Sequence, residues 1–291
     1  MRLAAGLLAL VLASGCAAAP LVRPDEPTFA IEDDGSKPAS FAISGELTQG
    51  GWVRGTVPND AINLTLDGRP VKVAADGTFF IAFDRDAGPS AVLSSQLDHS
   101  RVYATRTLSI APRAWRIERV DASPTGTAPS AQFLALRQPE LARIAAARAR
   151  VTDAQGWRQH FVWPIQARIS GRFGSQRIYR GEPGAYHSGI DLAGGAGATF
   201  VAPADGVVVL AARQPFTLEG NLLMIDHGMG LNSAFLHCSE LLVREGDHVR
   251  QGQPIGRIGM TGRATGPHLH WAIKWRDSRI DPAPLAGAME R

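Results

Sequence analysis

Gly266-Pro267-His268-Leu269-His270-Trp271-Ala272-Ile273 reads as a β-strand. Side chains alternate across a strand, so His268 and His270 share one face and Leu269 and Trp271 the other. Two imidazoles opposite an apolar face suit a site on a half-buried sheet, and equally a pair of surface histidines on an edge strand. Moving towards the N-terminus, short apolar runs recur: Ile255 and Ile258, Leu241 to Val243, residues 231–237, Leu222-Leu223-Met224-Ile225 and Val207-Val208-Val209-Leu210. Turn residues separate them, as in Asp226-His227-Gly228-Met229-Gly230. No helical pattern lies between the runs, which predicts an antiparallel sheet rather than βαβ units.

The chain before this region is also strand-rich. Ile62-Asn63-Leu64-Thr65-Leu66 alternates, Asp67-Gly68 follows, then Val71-Lys72-Val73, Asp76-Gly77 and Phe79-Phe80-Ile81. Strand, Asp-Gly turn, strand is a hairpin signal. Residues 121–130, rich in Ser, Thr, Pro and Gly, read as a linker. Pro139 opens a helix over residues 140–151, with Leu141, Ile144 and Ala145 on its packing face. The expected fold is mainly β. A smaller N-terminal β domain (41–118) is joined by a linker and helix (119–156) to a C-terminal antiparallel β domain (157–285).

Of the 291 residues, 45% are hydrophobic and 20% charged, enough for a sizeable core. The net charge of +3 is too small for the clustered basic footprint of nucleic-acid binding. Two cysteines, Cys16 and Cys238, exclude both a disulfide framework and a cysteine-based zinc site. Arg2, the apolar residues 3–13 and Ser14-Gly15-Cys16 read as an export signal, shorter than the about 20 residues of a membrane span. Leu12-Ala13-Ser14-Gly15-Cys16 resembles a bacterial lipobox (1–16), with Cys16 lipidated and residues 17–40 a tether. Cleavage among Ala17, Ala18 and Ala19 is the alternative. Ala17 in place of aspartate, by resemblance to Gram-negative lipoproteins, implies a lipid anchor at the periplasmic face of the outer membrane.

Four of the eight histidines sit in suggestive settings. In His187-Ser188-Gly189-Ile190-Asp191 an extended chain aims His187 and Asp191 to one side, with Gly189 leaving room between them. His237 ends Phe235-Leu236-His237, where a structural histidine is the ordinary reading. Catalytic zinc takes three ligands from His, Asp or Glu and keeps one position open. His187, Asp191 and one of His268 and His270 would supply that set. His99, His160, His227 and His248 read as structural or solvated. Arg172 offers a planar fork for a substrate carboxylate or a surface ion pair, and Asn221 a substrate contact or a turn role.

The motif at residues 187–191, the run 252–271 and the intervening 235–249 resemble the M23 family of peptidases, of the lysostaphin and LytM type. The resemblance covers residues 157–284. It implies a compact antiparallel β fold, one Zn2+ and peptidoglycan as substrate. Matched by motif, His187, Asp191 and His270 are the implied zinc ligands, and His237 and His268 the implied catalytic histidines outside the ligand set. His268 is assigned as general base and His237 as oxyanion stabiliser, roles that are exchangeable. Cys238 stands where the family commonly has leucine. In a Gram-negative wall the implied target is the D-alanyl to diaminopimelate cross-link. The N-terminal β region resembles the small domain that precedes the peptidase domain in some Gram-negative members. A noncatalytic protein of the same fold, which binds peptidoglycan or activates an amidase without cutting, is the main alternative. Residues 243–256 also resemble part of a lipoyl-type carrier domain, but no lysine lies near that segment's turn.

Overall fold

A computed structural model describes residues 40–98, 102–123 and 130–289. The segment read as export signal, with Cys16, the tether up to residue 39, and His99 lie outside the described residues.

The N-terminal β region holds β1 (Ala42–Gly45), β2 (Trp52–Thr56), β3 (Thr65–Leu66), β4 (Arg69–Pro70), β5 (Thr78–Ala82), β6 (Ser90–Gln96) and β7 (Tyr103–Ser109). They form a three-stranded sheet, β1-β2-β5, and a four-stranded sheet, β4-β3-β6-β7. Asp67 and Gly68 have φ of 49° and 76°, the two positive values that a two-residue hairpin turn needs.

The C-terminal region is built on a ten-stranded antiparallel sheet. Its main path uses β9 (Arg168–Gly171), β12 (Ile190–Ala193), β14 (Gly206–Phe216), β15 (Gly220–Asp226), β16 (Leu231–Leu241), β17 (His248–Val249) and β19 (Leu269–Trp275). The order is β17-β14-β15-β16-β19-β12-β9, and β13 (Thr199–Val201), β18 (Pro254–Ile258) and β20 (Ser278–Ile280) pair beside it. The fold is mainly β, as the alternating runs predict. One buried cluster holds residues of both β regions, including Phe79, Leu93, Trp157, Phe200 and Trp271.

The connecting segment differs from the sequence expectation in three ways. Residues Ile117–Val120 form a strand, β8, which pairs in parallel with β10 (Gln176–Tyr179) and, through it, with β11 (Glu182–Pro183). The helix α1 spans Ala131–Ala149, so Pro139 lies in its interior rather than at its start. Ser130 sets the start, its hydroxyl accepting from the Phe133 N–H at 3.1 Å. The buried face of α1 is Ile144 and Ala147, while Leu141 is 43% exposed. Three-residue spacing places Ile144 and Ala147 over Val209, Leu210 and Phe216, and that packing outweighs the hydrogen bond Pro139 removes. A short helix, α2 (Pro282–Ala286), capped by Asp281, follows β20. Among the described residues no helix is long and apolar enough to cross a membrane.

Candidate metal centre

Three strands bring the site together. Asp191 on β12 stands directly opposite His270 on β19, and His270 in turn stands opposite Leu236 on β16. His187 enters just before β12. Its backbone is fixed by the β9–β10 loop: His187 N–H donates to the Ser175 carbonyl at 2.8 Å, and Gly174 N–H to the His187 carbonyl at 2.9 Å.

The donor atoms form a tight triangle. His187 Nε2 lies 3.0 Å from Asp191 Oδ1, His270 Nδ1 lies 2.9 Å from the same oxygen, and the two nitrogens are 3.1 Å apart. Ligands about 2.0–2.1 Å from a tetrahedral zinc stand about 3.3 Å from one another, so the triangle fits such an ion with small adjustment. The donor set agrees, because two imidazole nitrogens and a carboxylate oxygen at this spacing need a shared proton or a cation between them. Burial would raise the Asp191 pKa, yet bonds from His187 and His270 hold it below the usual carboxylate range. Burial lowers the His270 pKa. Burial also works against charge on His187, but the bond to Asp191 raises its pKa.

The supporting groups are mostly backbone carbonyls. His187 Nδ1 faces the Arg172 carbonyl at 3.1 Å. A carbonyl only accepts, so Nδ1 carries the proton and Nε2 is left for the site. This partner has no sequence signal, since any residue at 172 would offer it. His268 Nδ1 likewise donates to the Gly266 carbonyl at 2.8 Å, and His237 Nδ1 to the Thr261 carbonyl at 2.9 Å. Both rings therefore keep Nε2 unengaged by those carbonyls. His268 Nε2 is 3.6 Å from Asp191 Oδ1, and the His237 and His268 ring centres are 4.9 Å apart.

His237 has φ of 65°, unusual for a residue with a side chain. It sits where β16 changes partner: Leu236 pairs with His270 on β19, and Cys238 with Ile258 on β18. Cys238 is buried, with its thiol pushed up to about 12, so it packs as a small core residue beside this break.

Glycines provide the room. A Cβ at Gly189 would lie 2.5 Å from the Trp271 carbonyl oxygen and 2.7 Å from His270 Nε2, and one at Gly171 would lie 2.2 Å from Asp191 Oδ2. A groove of about 770 Å³ opens beside His187 and Asp191, and Arg172 lines it. Asn221 instead holds the framework, its amide donating to the Cys238 carbonyl at 2.9 Å. His227 is buried against the Asp205 carbonyl and Ser233, and neither it, His160 nor His248 joins the donor cluster.

Fold and site together define a mainly β protein in which His187, Asp191 and His270 form a donor cluster that could hold a metal ion. Residues 185–282 match the model of peptidase family M23, and the chain carries a domain of that family. The chain is 40% identical over 114 residues to peptidoglycan DD-endopeptidase ShyA of Vibrio cholerae, covering 38% of this chain and 26% of ShyA. It is 34% identical over 131 residues to murein hydrolase activator NlpD of Escherichia coli, covering 45% of this chain and 31% of NlpD. A crystal structure from Pseudomonas aeruginosa assigned to peptidase M23 superposes with a TM-score of 0.64 at 26% identity, covering 84% of this chain and 96% of that one. The chain spans about a quarter of the length of the first curated relatives it matches.

Proposed function

We propose that the chain is an exported zinc-dependent endopeptidase that hydrolyses peptide cross-links of bacterial peptidoglycan. The observation that carries this reading is the convergence of His187, Asp191 and His270, with His237 and His268 beside them, next to an open groove. The likeness to ShyA supports the choice of substrate. His187 Nε2, Asp191 Oδ1 and His270 Nδ1 would hold the ion. When bound, zinc supplies Lewis acidity to the scissile carbonyl and lowers the pKa of water.

The remaining steps belong to the chain's own residues. His268, fixed through Nδ1 by the Gly266 carbonyl, presents Nε2 beside the donor triangle and takes a proton from the attacking water. The same nitrogen returns a proton to the leaving amine. His237, fixed by the Thr261 carbonyl, donates from Nε2, when protonated, to the developing oxyanion. The strained backbone at His237 and the β-sheet carrying His270 fix these groups before substrate arrives. Lipidation of Cys16, with the enzyme tethered at the periplasmic face of the outer membrane, belongs to the same proposal.

The likeness to NlpD favours a second reading, in which the protein activates another hydrolase without cutting. The complete set of five polar residues supports catalysis instead. Incubation of purified peptidoglycan with the protein alone, and with an amidase added, separates the two. New peptide ends released by the protein alone support the endopeptidase. Release only when the amidase is present, as sugar–peptide scission, would replace it with the activator.

A further inference from the structure

The groove beside the donor triangle is unusually rich in guanidinium groups. Arg116, Arg172 and Arg263 line it, together with the pair Arg177–Glu118. Glu118 is engaged by Arg177 Nε at 2.8 Å, and Asp191 by His187 and His270. Among the described residues, Arg116, Arg172 and Arg263 take part in no ion pair, although Arg116 lies in the field of Glu118. The groove thus holds more cation than its own carboxylates neutralise.

Each of the three is anchored through its backbone while its side chain is exposed. The Arg172 carbonyl receives the His187 Nδ1–H, so Arg172 grows from the chain that orients a ligand. Arg263 N–H donates to the Leu218 carbonyl at 3.0 Å, and Arg263 lies two residues beyond Thr261, which holds His237. The Arg116 carbonyl accepts from Gln176 N–H at 3.0 Å on the neighbouring strand β10. Arg172 and Arg263 therefore come from the loops that fix the ligand and the catalytic histidines. The groove also runs along β9, an end strand of the ten-stranded sheet, whose outer edge offers backbone groups to an extended chain.

We propose that this groove is a carboxylate-recognition subsite: Arg172 and Arg263 bind free carboxylates of a peptide lying along β9, and Arg116 adds attraction. The inference rests on the endopeptidase reading and deepens it, since it selects acidic peptides over amidated ones with the same backbone. Guanidinium forks match carboxylates in two parallel hydrogen bonds, which a carboxamide cannot reproduce.

The test is calorimetric binding of two synthetic peptides to the metal-loaded protein. One is the stem tetrapeptide L-Ala-γ-D-Glu-diaminopimelate-D-Ala with free carboxylates, and the other is the same peptide fully amidated. The acid should bind about tenfold more tightly, the discrimination expected of one charge-assisted contact at an exposed site. Salt should erode the difference, because exposed charges are screened. Arg172→Gln combined with Arg263→Gln should abolish it, and Arg172→Lys with Arg263 intact should retain only part, keeping charge without the fork. All three side chains are exposed, and an unchanged circular dichroism spectrum verifies folding. Equal binding of acid and amide by the unaltered protein overturns the subsite, and so does a preference that survives the double substitution. Discrimination without cleavage leaves the subsite standing and removes the endopeptidase reading, whereas cleavage without discrimination removes the subsite alone.

Discussion

Arg85→Ala tests how far the N-terminal β region supports the metal centre. The Arg85 side chain is 7% exposed. Its Nη2 donates to the Gly174 carbonyl and to Gln176 Oε1, each at 3.0 Å, and its guanidinium lies 4.8 Å from the Tyr186 ring centre and 5.4 Å from that of Trp115. Gly174 and Ser175 in turn bond the backbone of His187. A buttress from one β region thus reaches a proposed zinc ligand through one loop. Hydrogen bonds to a charged group contribute about 1.5–3 kcal/mol each, and loss here strands a buried carbonyl. The Asp86 partner is 61% exposed and adds little. With shared geometry discounted, Arg85→Ala should cost about 3 kcal/mol, measured as a lower urea midpoint at constant slope. Loosening of the loop should also weaken zinc binding about 10- to 100-fold in chelator competition, as removal of outer supports does. Arg85→Lys should recover part of the stability and little of the metal affinity. A loss under about 1 kcal/mol with unchanged zinc affinity would refute the chain of support from Arg85 to His187.

Gly189→Ala would drive a Cβ into the Trp271 carbonyl and His270 Nε2, so zinc content after dialysis should fall below that of Ser188→Ala, a change next door that adds no atom. Arg137 makes two bonds to Glu219, at 2.6 and 2.7 Å, with both side chains nearly buried, and the Glu219 carbonyl accepts the His237 N–H. Arg137→Ala should therefore cost about 2 kcal/mol by leaving a carboxylate unpaired, and should lower kcat while metal content stays the same. His227, buried between the Asp205 carbonyl and Ser233, has its pKa pushed down by burial from 6.5 to about 4. It stays neutral in the fold while the unfolded chain takes a proton below about 6.5. Its contribution is thus complete above that pH and fades as pH falls towards 4, by about 3 kcal/mol in all. Denaturation midpoints for His227→Gln should show a shallower fall between pH 7 and 4 than those of the unaltered protein, and parallel curves would refute the assignment.

Much of the site was legible because it lies on strands. Period-2 alternation placed His268 and His270 on one face, and the glycine in residues 187–191 signalled a close approach. The proposal of a catalytic role for His237 needed the resemblance, because a single histidine after two apolar residues carries no period. Its positive φ and change of strand partner arise from long-range pairing that a local pattern does not encode. The carbonyl partners of His187, His237 and His268 were invisible for a different reason: every residue has a carbonyl. The helix start was misplaced because Pro139 is a strong signal for a first turn, whereas Ser130 is a commoner residue whose capping depends on where the chain packs. Strand β8 was missed because it is only four residues long, straddles the expected boundary at residue 118, and pairs with β10 about sixty residues further along the chain.

The measurement closest to the central claim is muropeptide analysis of purified peptidoglycan digested by protein from residue 17 onward. It is run as isolated, after chelation, after zinc is restored, and with His270→Ala. The account predicts new peptide ends from the isolated and zinc-restored protein, and none after chelation or from the variant. Ends released equally by His270→Ala, or by the chelated protein, would contradict the assignment of His187, Asp191 and His270 as the centre of a zinc endopeptidase.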